Sequence, residues 1–133
     1  MAAAAVLLYD AECGFCRWCV ARALSWDHRG RLRPIALQDP AADLLLAGLG
    51  ADERMGSWHL VDRDGRRYSG GAAFAPLLRL LPRGRRLAWL AASFPRVVDA
   101  GYRAVANRRS LLSGLVPAAA RQRAGALIAS RTD

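Results

Sequence analysis

The spacing of apolar side chains changes repeatedly along this chain, and each change marks an element. Residues 4–9 are apolar almost without interruption, the pattern of a short strand buried on both faces. Over residues 13–28 the apolar positions Phe15, Cys19, Val20, Ala23 and Leu24 fall on one stripe at helical spacing, and Gly30 punctuates the end. Residues 31–38 return to a strand pattern through Leu32, Pro34, Ile35 and Leu37, with Pro34 assigning this strand to an edge or a start. Asp39-Pro40 then opens a short helix through Leu49, closed by Gly50.

Trp58-His59-Leu60-Val61, the turn Asp62-Arg63-Asp64-Gly65 and Arg66-Arg67-Tyr68 together predict a β-hairpin with its glycine at the turn. Residues 72–81 carry helical spacing at Phe74, Leu77, Leu78 and Leu81, and Pro82 ends it. Residues 85–108 are helical too, interrupted at Pro95, with Leu87, Leu90, Phe94, Val98, Tyr102 and Val105 as candidate core contacts. Beyond Ser110 the periodicity weakens, so 111–133 is expected as a helical or partly disordered tail on a domain spanning 1–110. The element order is β-α-β-α-β-β-α.

At 133 residues the chain is long enough for one domain with a genuine core, and 53% apolar residues exclude disorder for most of it. The longest apolar stretch near the C-terminal half, 87–94, is far short of the roughly 20 residues a bilayer demands, so no transmembrane segment is expected. Residues 1–8 lack the basic start of a secretory signal, which points to a cytoplasmic protein, where disulfides are transient and catalytic rather than structural.

The formal net charge is +9 and unevenly spread: residues 1–65 carry 7 Arg against 9 acids, residues 66–133 carry 13 Arg against 2. All 20 basic residues are Arg, in a chain also rich in Ala, Gly and Leu, so part of the charge reflects coding bias. The asymmetry nevertheless sustains a competing class, a non-catalytic module binding nucleic acid or an anionic membrane surface through Arg79, Arg83, Arg85, Arg86, Arg96, Arg103, Arg108 and Arg109. Few aromatics interleave these arginines and no nucleic-acid motif accompanies them, so this class ranks second.

The candidate chemistry sits at the first strand-to-helix junction, Asp10-Ala11-Glu12-Cys13-Gly14-Phe15-Cys16. A C-x-x-C pair there holds two sulfurs within reach across one helical turn, where unpaired N–H groups favour a thiolate. A structural zinc site would need further ligands: Cys19 lies on the same segment, and His28 and His59 form no paired motif, so no metal is expected. Cys19 itself is assigned to core packing, and His59 to a structural strand position rather than catalysis. Trp26, Trp58 and Trp89 read first as packing residues.

The element order with a C-x-x-C opening the first helix is the thioredoxin arrangement, a mixed four-stranded sheet flanked by helices, here α/β with extra C-terminal helices. Tyr9-Asp10-Ala11-Glu12-Cys13-Gly14-Phe15-Cys16 resembles the Y-D-x-x-C-x-x-C signature of the DCC family of predicted thiol-disulfide oxidoreductases. The stretch from His59 to Gly65, Tyr68-Ser69-Gly70 with Ala73, and residues 102–108 are similar to that family's downstream pattern. The resemblance covers about residues 5–110 and implies a disulfide oxidoreductase without implying a substrate. One departure stands out. Where thioredoxins place a cis-proline opposite the redox pair, this chain has Met55-Gly56-Ser57-Trp58.

In that reading Cys13 is the nucleophile and Cys16 the resolving thiol, working through a mixed disulfide without a cofactor. Asp10 is either the helix N-cap or a proton acceptor for the resolving thiol. Gly14 permits a tight backbone turn, Phe15 and Trp58 shape a docking surface, and Arg17 favours thiolate formation beside it. The expected partners are a disulfide-bearing protein or small thiol and a reductant that recycles the pair.

Overall fold

A computed structural model describes residues 5–132; residues 1–4 and 133, which belong to segments assigned above, lie outside them. Four strands, β1 (Ala5–Tyr9), β2 (Leu32–Ala36), β3 (His59–Asp62) and β4 (Arg67–Ser69), form one mixed open sheet in the order β2-β1-β3-β4. β1 runs parallel to β2 and antiparallel to β3, and β3 and β4 are antiparallel. Around the sheet lie α1 (Gly14–Trp26), α2 (Pro40–Leu45), α3 (Ala51–Gly56), α4 (Phe74–Leu80), α5 (Arg85–Ser93), α6 (Pro95–Ala106), α7 (Arg109–Leu115) and α8 (Ala118–Thr132), with a single 3-10 turn at Gly70–Ala73. The architecture is thioredoxin-like with additional C-terminal helices.

The continuous apolar run of β1 follows from its central position. Ala5, Leu7 and Tyr9 point to one face, where they pack with Val20 and Leu24 of α1, Leu77 of α4 and Ile128 of α8. Leu8 points to the other, against Ile35, Leu37, Val61 and the α2 side chain Ala42. β2 pairs with β1 alone, so Pro34 sits on an edge strand as its missing N–H demands. The β3–β4 turn uses Gly65 at φ 83°, a left-handed conformation that favours glycine.

Several expectations require correction. The helix opened by Asp39 stops at Leu45, and a separate α3 follows, because Gly48 takes φ 93° and breaks the helical path before Leu49. Leu87, Leu90, Phe94 and Val105 are exposed rather than core; of the six candidates on α5 and α6 only Val98 and Tyr102 are half-buried. Cys19 is likewise exposed on α1, which buries Val20, Ala21 and Leu24 instead.

Residues 118–132 form one helix packed along α1. Its apolar signal is weak because the contact is made by a few widely spaced residues, with Ala124 and Ile128 buried. Its C-terminal end is held by charge. Arg131 reaches the fully buried Asp27 carboxylate at 3.1 Å and donates to the carbonyls of Leu24 and Asp27, the orphan acceptors at the end of α1. Asp27 also accepts the Arg31 and Leu32 backbone N–H groups.

Candidate functional site

The chain leaves β1 at Tyr9 and turns through Asp10-Ala11-Glu12 into α1. The Cys13 N–H closes this turn on the Asp10 carbonyl, and the Asp10 carboxylate accepts the Glu12 N–H at 2.9 Å and the Gln38 side-chain amide at 2.8 Å. Gln38 in turn accepts the Ala11 N–H, so the turn is fastened to the segment after β2. Asp10 is therefore not the helix N-cap. Cys13 takes that position, its Sγ accepting the Cys16 N–H at 3.3 Å. Among the described residues the hydrogen bonds of Asp10 go to this turn and to Gln38, not to either thiol.

Both cysteines of the pair are half-buried free thiols, and Cys16 is hydrogen-bonded to Cys13. Burial, reinforced by Cys13, pushes the Cys16 thiol up to about 12, with Arg109 pulling the other way. Cys13 has a second partner that sequence reading did not supply. The Ser113 hydroxyl of α7 lies 3.6 Å from Cys13 Sγ and accepts the Phe15 N–H at 3.1 Å. A thiolate at Cys13 has no proton to give, so Ser113 must then be the donor. One hydroxyl thus satisfies a first-turn N–H of α1 and supports negative charge on Cys13.

Arg109, the first residue of α7, lies close enough to Cys16 and to Tyr102 for its positive charge to lower the pKa of both. Tyr102 of α6 lies beside the Trp58 backbone and the Ser57 side chain, which lower its pKa, but burial outweighs them and raises it above the ordinary value. The segment Met55-Gly56-Ser57-Trp58 therefore meets Tyr102, which stands near Cys16. Trp58 is half-buried, edge-on to Phe74 at 5.1 Å between ring centroids, and Phe74 is edge-on to Tyr102 at 6.0 Å. An aromatic row thus links the start of β3 to α6.

The other expected docking residues divide. Phe15 stacks on Trp18 at 6.2 Å between centroids, and Arg22 lies over the Trp18 ring at 5.9 Å, making a partly exposed ladder beside the thiols. Trp18 was missed, although its place three residues after Phe15 puts it on the same helix face. Arg17 points elsewhere: its guanidinium crosses close over Gly125 of α8. Gly14 has no left-handed φ. Its open side faces Arg121 and Ser113, where a Cβ would make ordinary contact, so tight turning is not what its position asks for.

His59 is buried, its Nδ1 2.6 Å from the Ser69 hydroxyl and its Nε2 2.9 Å from the Arg54 carbonyl. The carbonyl only accepts, so Nε2 carries the proton and Nδ1 accepts from Ser69; burial lowers the pKa and keeps the ring neutral. These bonds tie α3, β3 and β4 together. Among the described residues no cluster of three or more His, Cys, Asp or Glu side chains could hold a metal ion, and no helix is long and apolar enough to cross a membrane.

Compared with known proteins, the chain matches the family model described as DCC1-like thiol-disulfide oxidoreductase over residues 7–115, well over half of its length. No curated protein and no solved structure matches.

Proposed function

Because the chain belongs to the DCC1-like thiol-disulfide oxidoreductase family, we propose that Cys13 and Cys16 form a working dithiol that reduces disulfides of a protein or small thiol substrate. The observation that carries this reading is the position of Cys13 at the α1 N-cap, its sulfur facing the Cys16 N–H and the Ser113 hydroxyl.

Cys13 thiolate attacks one sulfur of the substrate disulfide; that S–S bond breaks, a Cys13–substrate disulfide forms, and one substrate thiolate leaves and takes up a proton. Cys16 then loses its proton and attacks Cys13 Sγ, forming the Cys13–Cys16 disulfide and releasing the second substrate thiol. Two electrons pass from the dithiol to the substrate. A recycling dithiol or small thiol of the cytoplasm returns the pair to its reduced form by the reverse exchange, and no cofactor takes part.

The neighbours divide the work. Ser113 and the first-turn N–H groups favour charge on Cys13, and Arg109 assists Cys16, whose burial opposes ionisation. Asp10 serves by holding the turn that presents Cys13. Phe15 with Trp18 supplies the docking face, Trp58 its border on the β3 side, and Gly14 leaves room beside Arg121. Arg17 of α1 reaches over Gly125 of α8 and lends its charge to Tyr9, at the end of β1.

The test is thiol trapping with mass spectrometry across a graded thiol–disulfide buffer, using the unaltered chain and Cys16→Ser. A reversible two-electron transition confined to Cys13 and Cys16, with a substrate mixed disulfide accumulating on Cys13 of Cys16→Ser, is the expected result. Sulfurs that never pair at any poise would overturn it.

A further inference from the structure

Helices α5 and α6 present an outer surface that neither the dithiol nor the core accounts for. On α5 the buried residue is Ala88; at about 100° per residue Arg86 and Leu90 fall on the opposite side and Trp89 on the flank next to them. Trp89 is 68% exposed and Leu90 45%, and with Arg85 and Arg86 they line a shallow apolar depression. Phe94, at the junction of the two helices, is 56% exposed, and Val97 on the first turn of α6 is 69% exposed. A monomer seldom leaves such side chains in water without a partner for them.

The charge around these residues narrows the partner. Arg83, Arg85, Arg86 and Arg96 are all exposed, and the chain has no acidic side chain between Gly65 and Asp99. Asp99 itself is paired with Arg103 at 3.1 Å. A second copy of the chain meeting this face in two-fold fashion would bring these arginines against their equivalents. A nucleic acid would satisfy the arginines and leave Leu90, Phe94 and Val97 facing sugar and phosphate. A bilayer, with hydrocarbon beneath a layer of negative charge, meets both demands.

The geometry points to the α5–α6 face as an interfacial docking surface for a bilayer of anionic phospholipid, with Trp89, Leu90, Phe94 and Val97 entering the acyl boundary and Arg85, Arg86 and Arg96 at the phosphates. Trp and Arg are the side chains that sit at this depth, one for its amphipathic ring and the other for its long stem. The docking is independent of the redox chemistry and leaves the chain peripheral to the membrane.

The experiment is co-sedimentation of the full chain with vesicles of phosphatidylcholine, with and without phosphatidylglycerol, at low and high salt, beside sedimentation velocity without lipid. Binding should need phosphatidylglycerol and weaken as salt rises. Arg85→Ser with Arg86→Ser should weaken it about twenty-five-fold, on the basis of roughly five-fold per arginine near the surface. Trp89→Ser with Phe94→Ser should weaken it by at least about ten-fold. A control on other exposed arginines, Arg29→Ser with Arg63→Ser, should cost only a small part of that. All these positions are exposed, and an unchanged alkylation rate at Cys13 would certify the fold. No binding to anionic vesicles, a control pair that costs as much as Arg85 and Arg86, or indifference to Trp89 and Phe94 would each overturn the proposal. So would self-association that Trp89→Ser abolishes, since a second copy would then own the face.

Discussion

The chemistry of the dithiol is governed by two unlike sulfurs. Cys13 is at the helix end with two donors, whereas Cys16 is pushed up to about 12 chiefly by burial. In the proposed exchange Cys16 is the resolving thiol, and burial, the largest cause of its raised pKa, makes its small thiolate fraction the limit on that step. That fraction rises about ten-fold per pH unit while pH remains well below the pKa. Stopped-flow release of the second substrate thiol should therefore accelerate about ten-fold per unit between pH 7 and 9 without a plateau, and a plateau near neutrality would show Cys16 ionising far more readily. Ser113→Ala should slow alkylation of Cys13 at neutral pH by about ten-fold, the worth of one hydrogen bond to a charged acceptor, with little change at Cys16. The cysteines, Phe15 and the turn at Asp10 were readable because they are contiguous. Ser113, Arg109 and Tyr102 were not: they lie about a hundred residues away, and nothing in their local spacing says that α6 and α7 return to the first helix.

Elements were legible where one side of a pattern meets a core. β1, α1, β2, the hairpin and α4 bury large apolar residues, and their periodicity survives in the sequence. α5 and α6 carry the same kind of pattern with much of the apolar side outward, so periodicity gave the helices and misplaced the core. α8 fails in the opposite way. It buries only a few widely spaced residues, Ala124 and Ile128 among them, and an ion pair does part of what a hydrophobic stripe does elsewhere. Arg131 is 26% exposed on the side chain while Asp27 is fully buried. Removing the arginine leaves a buried carboxylate with only its two backbone donors and orphans the Leu24 and Asp27 carbonyls. Arg131→Met should accordingly cost about 2 kcal/mol in urea unfolding, at the low side for a broken buried pair because the guanidinium still reaches water. Arg131→Lys should recover only part of it, since one ammonium cannot serve three acceptors with the geometry of a fork. A loss below about 0.5 kcal/mol would place the pair among surface contacts.

For the molecule as a whole, the C-terminal helices complete both the core and the site. α7 gives Cys13 its hydroxyl and Cys16 its guanidinium, and α8 covers α1 with Ile128 among the residues that enclose Val20 and Leu24. Among the described residues α7 and α8 are the C-terminal elements that pack on the first helix. A chain ending at residue 108 would expose Val20, Leu24 and the sheet residues Leu7 and Leu32 behind them, and would lose Val116, Ala124 and Ile128 outright. Each fully buried aliphatic side chain is worth about 1.5–3 kcal/mol, and a small domain has about 5–15 kcal/mol in total. Three or four such losses equal the stability of the fold. The truncated chain should thus show no cooperative urea transition and alkylate Cys13, Cys16 and Cys19 at one unprotected rate. A truncated chain that melts cooperatively and still protects Cys16 would instead establish residues up to 108 as a self-sufficient domain, with α7 and α8 an accessory layer over its dithiol.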